Sequence, residues 1–229
     1  MTYSVNSSDA IEIGTLRVNT MPTLGAFSAP WKHLYTGINN INFGLKVIKE
    51  KSFPNVATIE GELSFLRAWY YLLTVETWGT GAHFATEPTA SVLTDGNQAS
   101  IDTFYTLILS DIDRAIVTLP VTSPEKGRIT IPAAKALKAR ILLSLAGYDE
   151  GTIAKSGIQS RAQLYAEAKA LCDDVIQNSQ HQLLDNFESI FDTYNQGNKE
   201  VIWAVQFSAL EKYNTSELVT GGHGLHRYW

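Results

Sequence analysis

Apolar residues recur every three or four positions along most of this chain, and that period limits the fold more than any other feature. Over residues 31–48 they form one stripe, as on a single face of an α-helix: Trp31, Leu34, Tyr35, Ile38, Ile41, Leu45 and Ile48. The same spacing recurs over residues 55–78, 101–119, 132–147 and 160–178. The sequence therefore predicts five α-helices, and each apolar face needs a neighbouring element to cover it.

Residues that cap or break helices predict where these helices begin and end. Ser28 and Ser100 stand before apolar stripes as N-caps, because a serine hydroxyl accepts a free backbone N–H at that position. Pro30 and Pro132 fit a first turn, where the missing N–H of proline costs nothing. The breaks between helices are expected at Pro54, Gly79, Pro120 and Gly147.

Other segments depart from the long helical stripes. Residues 200–208, "EVIWAVQFS", alternate in the way typical of a β-strand, and "FESIFDTY", residues 187–194, predicts a short helix. Residues 1–25 are rich in Ser, Thr and Asn without a sustained period, which predicts an extended arm. Residues 80–99 contain Pro and Asp-Gly, which indicates a polar loop.

A faint internal repeat relates two of the predicted helices. "LRAWYYLL" at 66–73 and "LKARILLS" at 137–144 align without gaps at an offset of 138 − 67 = 71 residues. That offset is near two periods of the 34-residue tetratricopeptide helix pair. We therefore predict an all-α dominated fold of tetratricopeptide-like helical hairpins, with loop-rich segments and a short strand near the C-terminus. The single domain, 1–229, comprises an extended arm (1–25), a helical repeat core (26–195), and strand and loops (196–229).

Composition excludes several classes of function. The net charge of −5 and the pI of about 5.5 leave no basic footprint for nucleic acid. Cys172 is the one cysteine, which rules out an intrachain disulfide, and in its helical run we expect a buried thiol. The longest apolar run, 68–73, is far shorter than the roughly 20 residues of a membrane-spanning helix.

No catalytic motif emerges from the sequence. It contains no G-x-S-x-G, P-loop or H-E-x-x-H pattern. His223 and His226 form a bare H-x-x-H without a third ligand, so we predict no metal site and no cofactor. Glu60 and Glu62 stand at a helix start, where their charge favours the helix dipole rather than acid–base work. The sequence predicts a protein that is not an enzyme.

Aromatic residues are the unusual part of the composition, with five Trp, ten Tyr and nine Phe. Their rings offer apolar faces on which a sugar or a peptide can stack. Trp31, Tyr35, Trp69 and Tyr70 fall on periodic stripes and are expected in the core. The candidate ligand-binding residues lie at the end of the second helix and in the C-terminal loops: Trp78, His83, Tyr213, His226, Tyr228 and Trp229.

The second helix carries a family resemblance. "GELSFLRAWYYLLTVETWG", residues 61–79, resembles the segment E-A-x-F-L-R-A-x-Y-Y-x-x-L-x-x-x-x-G-D-x-P of the SusD/RagB family, nutrient-uptake lipoproteins on the surface of Bacteroidetes-type bacteria. "WKHLYTGINNINFGLKVI", "ITIPAAKALKARILLSLAGY" and "YAEAKALCDDVIQNSQHQLLDNFESIFD" with "NKEVIWAVQF" resemble further family blocks in the same order. The resemblance covers about residues 28–208.

The resemblance implies a tetratricopeptide-like helical fold with a loop-rich remainder. It implies non-catalytic binding of oligosaccharide or polysaccharide, or sometimes peptide, at the outer-membrane surface. It also implies delivery of the glycan to a TonB-dependent transporter of the SusC type. Membrane contact would be made through a lipid anchor, whose N-terminal cysteine is absent from this sequence, which has no signal peptide.

Two departures from the family pattern stand out. Residues 79–82, Gly-Thr-Gly-Ala, replace the family's Gly-Asp-x-Pro turn, which predicts a reshaped loop. Family members are usually longer, so we expect a truncated form or an N-terminal half with an incomplete binding site.

Two other functions stay open at the level of sequence. A helical-repeat scaffold for protein–protein interaction fits the same stripes, as does a binder of peptide rather than sugar. A glycosidase would need two carboxylates facing one cleft.

Overall fold

The computed structural model describes residues 25–52, 54–89, 96–158, 160–192, 195 and 197–206. Two compact units divide the chain, one made of Trp31–Trp203 and the other of Met1–Pro30 with Ala204–Trp229. The first unit holds nearly all of the described residues. The described helices are α1 (Gly25–Glu50), α2 (Val56–Trp78), α3 (Ile101–Thr118), α4 (Ile131–Leu145), α5 (Glu150–Lys155) and α6 (Arg161–Asn178). Short 3-10 helices cover Gly79–Gly81 and Phe187–Ile190.

The helices confirm the helical fold class and most of the predicted boundaries. α3 begins after Ser100, although its hydroxyl pairs with that of Thr103 at 2.9 Å instead of capping a backbone N–H. α1 begins at Gly25, earlier than the predicted start near Ser28 and Pro30. Proline does not stop this helix, because its fixed φ is helical and the lost hydrogen bond affects only a carbonyl in the first turn.

One helix was missed by the sequence reading. α5 spans only six residues, which is too short to show an apolar period. It also contains Gly151, a residue that disfavours helices. The backbone N–H of Thr152 donates to the Asp149 carboxylate at 3.0 Å, which caps the helix start. An Asp three residues before a Thr is therefore the local signal for this element.

The prediction of a short strand near the C-terminus is wrong, because residues 200–206 form no strand. Within the described residues no extended segment lies alongside them to complete a β-ladder. Trp203 instead packs edge-on against Phe65 and Trp69 of α2, with ring centroids 5.2 and 5.1 Å apart. Its indole N–H donates to the carbonyl of Gly127 at 3.0 Å. Contact with α2 thus holds the Trp203 ring half-buried without a strand.

The core lies where α2 packs against α3, α3 against α4, and α4 against α6. None of the helices among the described residues is long and apolar enough to cross a membrane. Cys172 is exposed, so its predicted burial is wrong: it lies beside the buried face of α6 formed by Leu164, Ala168 and Val175. The largest fully buried side chains are Ile38, Tyr71, Leu72, Phe104, Tyr105, Ile108, Ile112, Ile141, Leu142, Leu145, Ile153 and Leu164.

Gly61 allows α2 to approach the end of α3 closely. A Cβ at this position would lie 2.4 Å from the Thr118 hydroxyl and 2.9 Å from Leu119 Cγ. We expect Gly61→Val to lower the free energy of unfolding by about 1–3 kcal/mol, because overpacking outweighs any gain in helix propensity. Urea denaturation measures this change. Gly81→Ala is the control, since a Cβ there would meet nothing within 4 Å. Equal stability of the two variants would contradict close packing at Gly61.

Candidate functional site

Four rings form a cluster at the junction of α1, the end of α2 and the following loop. This aromatic cluster consists of Trp31, Tyr35, Trp78 and His83, all of them half-buried. The Trp31 ring lies 4.5 Å from Tyr35, 5.2 Å from Trp78 and 5.3 Å from His83, measured between centroids. The two tryptophans meet edge to face, an arrangement that leaves apolar ring surface beside a polar imidazole.

The loop that carries His83, residues 82–89, is held by side chains rather than by a partner strand. The Tyr35 hydroxyl accepts from the His83 N–H at 2.6 Å and donates to the His83 carbonyl at 3.0 Å. Tyr71 makes the same two-way contact with Ala85, at 2.9 and 2.6 Å. Asn39 does so with Thr89, at 2.8 and 3.1 Å. These contacts satisfy loop backbone groups that would otherwise be partly buried without partners.

Residues after the loop complete its support on the other side. The Phe84 N–H donates to the Asn97 carbonyl at 2.8 Å, and the Asn97 side-chain amide donates to the Phe84 carbonyl at 3.3 Å. His83 forms an isolated antiparallel bridge with Gln98. The loop backbone is therefore bound from α1, from α2 and from residues 97–98.

Burial of the tyrosines that hold this loop changes their acidity. Burial raises the pKa of Tyr71 to about 12, although its hydrogen bond to Ala85 and the nearby charge of Arg67 act in the opposite direction. The pKa of Tyr35 is also raised by burial. Both hydroxyls thus stay protonated above pH 10, where an exposed tyrosine ionises, so each can still donate to its loop carbonyl there.

A buried ion pair joins this arrangement to the core. The Arg67 guanidinium donates to both carboxylate oxygens of Asp111 on α3, at 2.7 and 2.8 Å. A third N–H donates to the Asn42 side-chain oxygen at 2.9 Å, and the Asn42 amide donates to the Ala85 carbonyl at 3.0 Å. Burial raises the pKa of the Asp111 carboxyl, and Arg67 offsets part of that effect. Three helices and the loop are linked through one guanidinium.

The structure brings together two of the six predicted site residues, Trp78 and His83. The other four, Tyr213, His226, Tyr228 and Trp229, lie outside the described residues. Trp31 was expected in the core and is instead half-buried in the aromatic cluster. Tyr35 is half-buried too: it packs against the core, as expected, and also joins the aromatic cluster. The connection between α1 and α2 is short, so the two helices run antiparallel and the start of α1 lies near the end of α2. This arrangement is the signal that could have placed Trp31 and Tyr35 beside Trp78.

The carboxylates of α2 are held in ion pairs. Glu60 pairs with Arg114 at 2.7 Å, and Glu62 with Arg128 at 2.7 Å. Glu76 accepts from Arg140 at 3.1 Å and from the Ser144 hydroxyl at 2.9 Å. In the part of the chain that the structure describes, no group of three or more His, Cys, Asp or Glu side chains is placed to hold a metal ion.

Removing the Tyr71 hydroxyl tests the support of the loop. We expect Tyr71→Phe to lower the free energy of unfolding by about 1–3 kcal/mol, because it leaves the partly buried Ala85 N–H without a partner. Chemical denaturation at neutral pH measures the loss. Tyr165→Phe is the matched control, since the Tyr165 ring is 52% exposed and makes no hydrogen bond to a described residue. An equally small change in both variants would contradict this role.

The raised pKa of Tyr71 predicts an alkaline loss of stability. Its folded-state pKa of about 12 exceeds the value of 10.0 for an unperturbed tyrosine. The stability from the neutral phenol is complete below about pH 10 and is lost as the pH rises towards 12. Over that range the parent chain should lose about 2–3 kcal/mol more than Tyr71→Phe. Measuring the free energy of unfolding of the parent and of Tyr71→Phe as a function of pH would show this difference. Two curves with the same pH dependence would contradict it.

Comparison with known proteins identifies the family. A SusD-like family model described as "Starch-binding associating with outer membrane" matches residues 1–143, more than half of the chain. A SusD-like protein P25 of Formosa agariphila is 29% identical over 212 residues, which are 90% of this chain and 35% of that protein. The chain thus spans about a third of the length of this relative.

Solved structures agree with this assignment. A SusD superfamily protein from Parabacteroides distasonis has 27% identity and a TM-score of 0.68, over 79% of this chain and 37% of that one. A protein described as a laminarin-binding SusD-like protein has 25% identity and a TM-score of 0.61, over 76% of this chain and 36% of that one. The likeness confirms the predicted tetratricopeptide-like helical class. This chain belongs to the SusD-like family.

Proposed function

We propose that the chain contributes to non-catalytic binding of a glycan at the outer-membrane surface. The observation that carries the proposal is the aromatic cluster, in which Trp31 and Tyr35 of α1 and Trp78 of α2 meet His83 of the loop that side chains hold. The family description as starch-binding and outer-membrane-associated supports it, as does the likeness to a laminarin-binding protein.

The chemistry of the cluster suits a sugar ring. The C–H face of a pyranose stacks on an aromatic ring, and a polar tip beside the ring orients the hydroxyl groups. Trp78 and Trp31 supply ring surface, and the His83 imidazole supplies a group that can donate or accept a hydrogen bond. Because side chains of α1 and α2 already fix the loop, little of it has to be ordered on binding.

Two observations favour binding without hydrolysis. The glutamates of α2, at positions 60, 62 and 76, are each paired with an arginine and are therefore engaged in holding helices together. A glycosidase requires one carboxyl to act as an acid and another to act as a base or nucleophile in the same cleft. The family description names binding and no reaction.

Delivery of the bound glycan to a TonB-dependent SusC-like transporter is the second part of this proposal. It is supported by the family description, which places these proteins at the outer membrane. Co-purification of the transporter with the full-length lipoprotein from solubilised outer membranes tests it. Recovery of the lipoprotein without any transporter, under conditions that preserve other membrane complexes, would contradict this part.

Substitution of the aromatic cluster tests glycan binding directly. We expect Trp78→Ala to weaken binding of laminari-oligosaccharides at least tenfold, a loss of about 1.4 kcal/mol, because a stacking surface is removed. His83→Ala should weaken binding less, since it removes an orienting group and leaves both tryptophans. Isothermal titration calorimetry on the full chain measures both affinities, and a wider panel of neutral glycans and peptides is tested in parallel.

The control variant for this experiment is Phe187→Ala, which removes an aromatic ring that is 75% exposed and lies outside the cluster. It should bind as the parent chain does. Binding of a peptide with no binding of any glycan would replace sugar with peptide as the ligand. Unchanged affinity in Trp78→Ala would overturn the site.

A further inference from the structure

A concave surface lies apart from the aromatic cluster and shares no residue with it. This charged cleft has a volume of about 440 Å³ and runs between α1, α2, α3 and the loop at 86–87. Ligand sites in proteins usually have volumes of 300–1,000 Å³. Eight of its fourteen lining residues are charged, and none of them is aromatic, so it suits a small polar ligand rather than an apolar or stacked one. The charged residues are Lys46, Lys49, Glu60, Arg67, Glu87, Asp111, Asp113 and Arg114.

Most of these charges are already paired within the protein. Arg67 is bound to Asp111, Glu60 to Arg114, and Asp113 to Lys138 at 2.8 Å. An ion paired in this way contributes little net attraction to a ligand. The charges that could recognise a ligand are therefore those left over after this pairing.

Two ammonium groups and one carboxylate remain. Lys46 and Lys49 are exposed, lie three residues apart on α1, and pair with no described residue. Residues at this spacing lie on the same helix face, so both side chains can reach one group. Glu87 on the loop likewise has no partner among the described residues. The four basic and four acidic lining residues cancel in total charge, but Lys46 and Lys49 share one helix face without a described partner, and Glu87 remains as a separate acceptor.

Ser64 adds a buried polar group to this surface. It lines the cleft, is only 3% exposed, and its hydroxyl makes no hydrogen bond to a described residue. Among the described residues the buried side-chain atom without a partner is Asn97 Oδ1, so the Ser64 hydroxyl opens onto the cleft, where water or a ligand can bond with it. The Arg114 guanidinium also keeps N–H donors, because a single nitrogen of it donates to Glu60.

We propose that the charged cleft binds the acidic unit of a saccharide, a hexuronate. Its carboxylate would lie against Lys46 and Lys49, while its hydroxyls would donate to Glu87 and bond with Ser64. A neutral sugar would leave the two ammonium groups without a counter-charge, and a bare carboxylate would leave Glu87 and Ser64 unused. The inference extends the proposed glycan binding by naming an acidic component of the substrate.

Calorimetric titration of the full chain with sodium glucuronate, glucose and sodium acetate at low ionic strength tests the proposal. Glucuronate should bind at least tenfold more tightly than glucose or acetate. The double variant Lys46→Gln/Lys49→Gln should lose at least tenfold in affinity for glucuronate, and 0.5 M salt should weaken the parent similarly. Ser64→Ala should weaken binding a few-fold without changing the salt dependence.

The matched control is Lys32→Gln, which removes an exposed lysine of α1 that does not line the cleft and should leave affinity unchanged. Equal binding of glucuronate and glucose, or an unaltered Lys46→Gln/Lys49→Gln variant, would overturn the proposal. Acetate binding as tightly as glucuronate would overturn the claim that the cleft recognises the sugar as well as the carboxylate.

Trp78→Ala should bind glucuronate normally. Failure of laminari-oligosaccharide binding with glucuronate binding intact would therefore refute the aromatic site and leave the cleft standing.

Discussion

The ion pair between Arg67 and Asp111 is the contact on which the rest of this structure depends. Both side chains are largely withdrawn from water, with 12% and 7% of their areas exposed. Moving such ions out of water costs several kcal/mol each, and bidentate geometry with further hydrogen bonds is needed to offset that cost. Arg67 meets the requirement by binding Asp111 twice and Asn42 once. Because Asn42 in turn donates to the Ala85 carbonyl, the guanidinium also supports one point of the loop.

This dependence connects packing with function. Tyr35 has its ring in the aromatic cluster and its hydroxyl on the His83 backbone, so a single residue both forms the surface and fixes its neighbour. The charged cleft is lined by the same Arg67 and Asp111, yet these two ions satisfy each other there. Recognition in the cleft therefore falls to Lys46, Lys49 and Glu87. One buried network thus supports two surfaces of different chemistry, one aromatic and one charged.

The sequence predicted the helices because their apolar period is long and regular, as for α1 and α3. It could not predict α5, which is shorter than two turns, or the path of residues 200–206, whose alternation reflects packing of Trp203 on a helix. Trp78 and His83 were predicted as candidates because they stand at a helix end and in a loop. Trp31 and Tyr35 were assigned to the core, since periodicity cannot distinguish a covered face from one that meets a loop. The contacts of Asn39 and Asn42 with loop backbone leave no pattern in a single sequence.

Amide hydrogen exchange in the loop tests the central claim, that side chains of α1 and α2, aligned through Arg67, hold the loop in place. The amides of His83, Ala85 and Thr89 donate to Tyr35, Tyr71 and Asn39, whereas those of Thr86 and Glu87 have no described acceptor. The account predicts slow exchange at the first three positions and fast exchange at the other two. Arg67→Met should lower the protection of Ala85 most, because Asn42 loses its anchor beside the Ala85 carbonyl, while the α4 amides stay protected. Uniformly fast exchange in the parent chain, or unchanged protection in Arg67→Met, would contradict it.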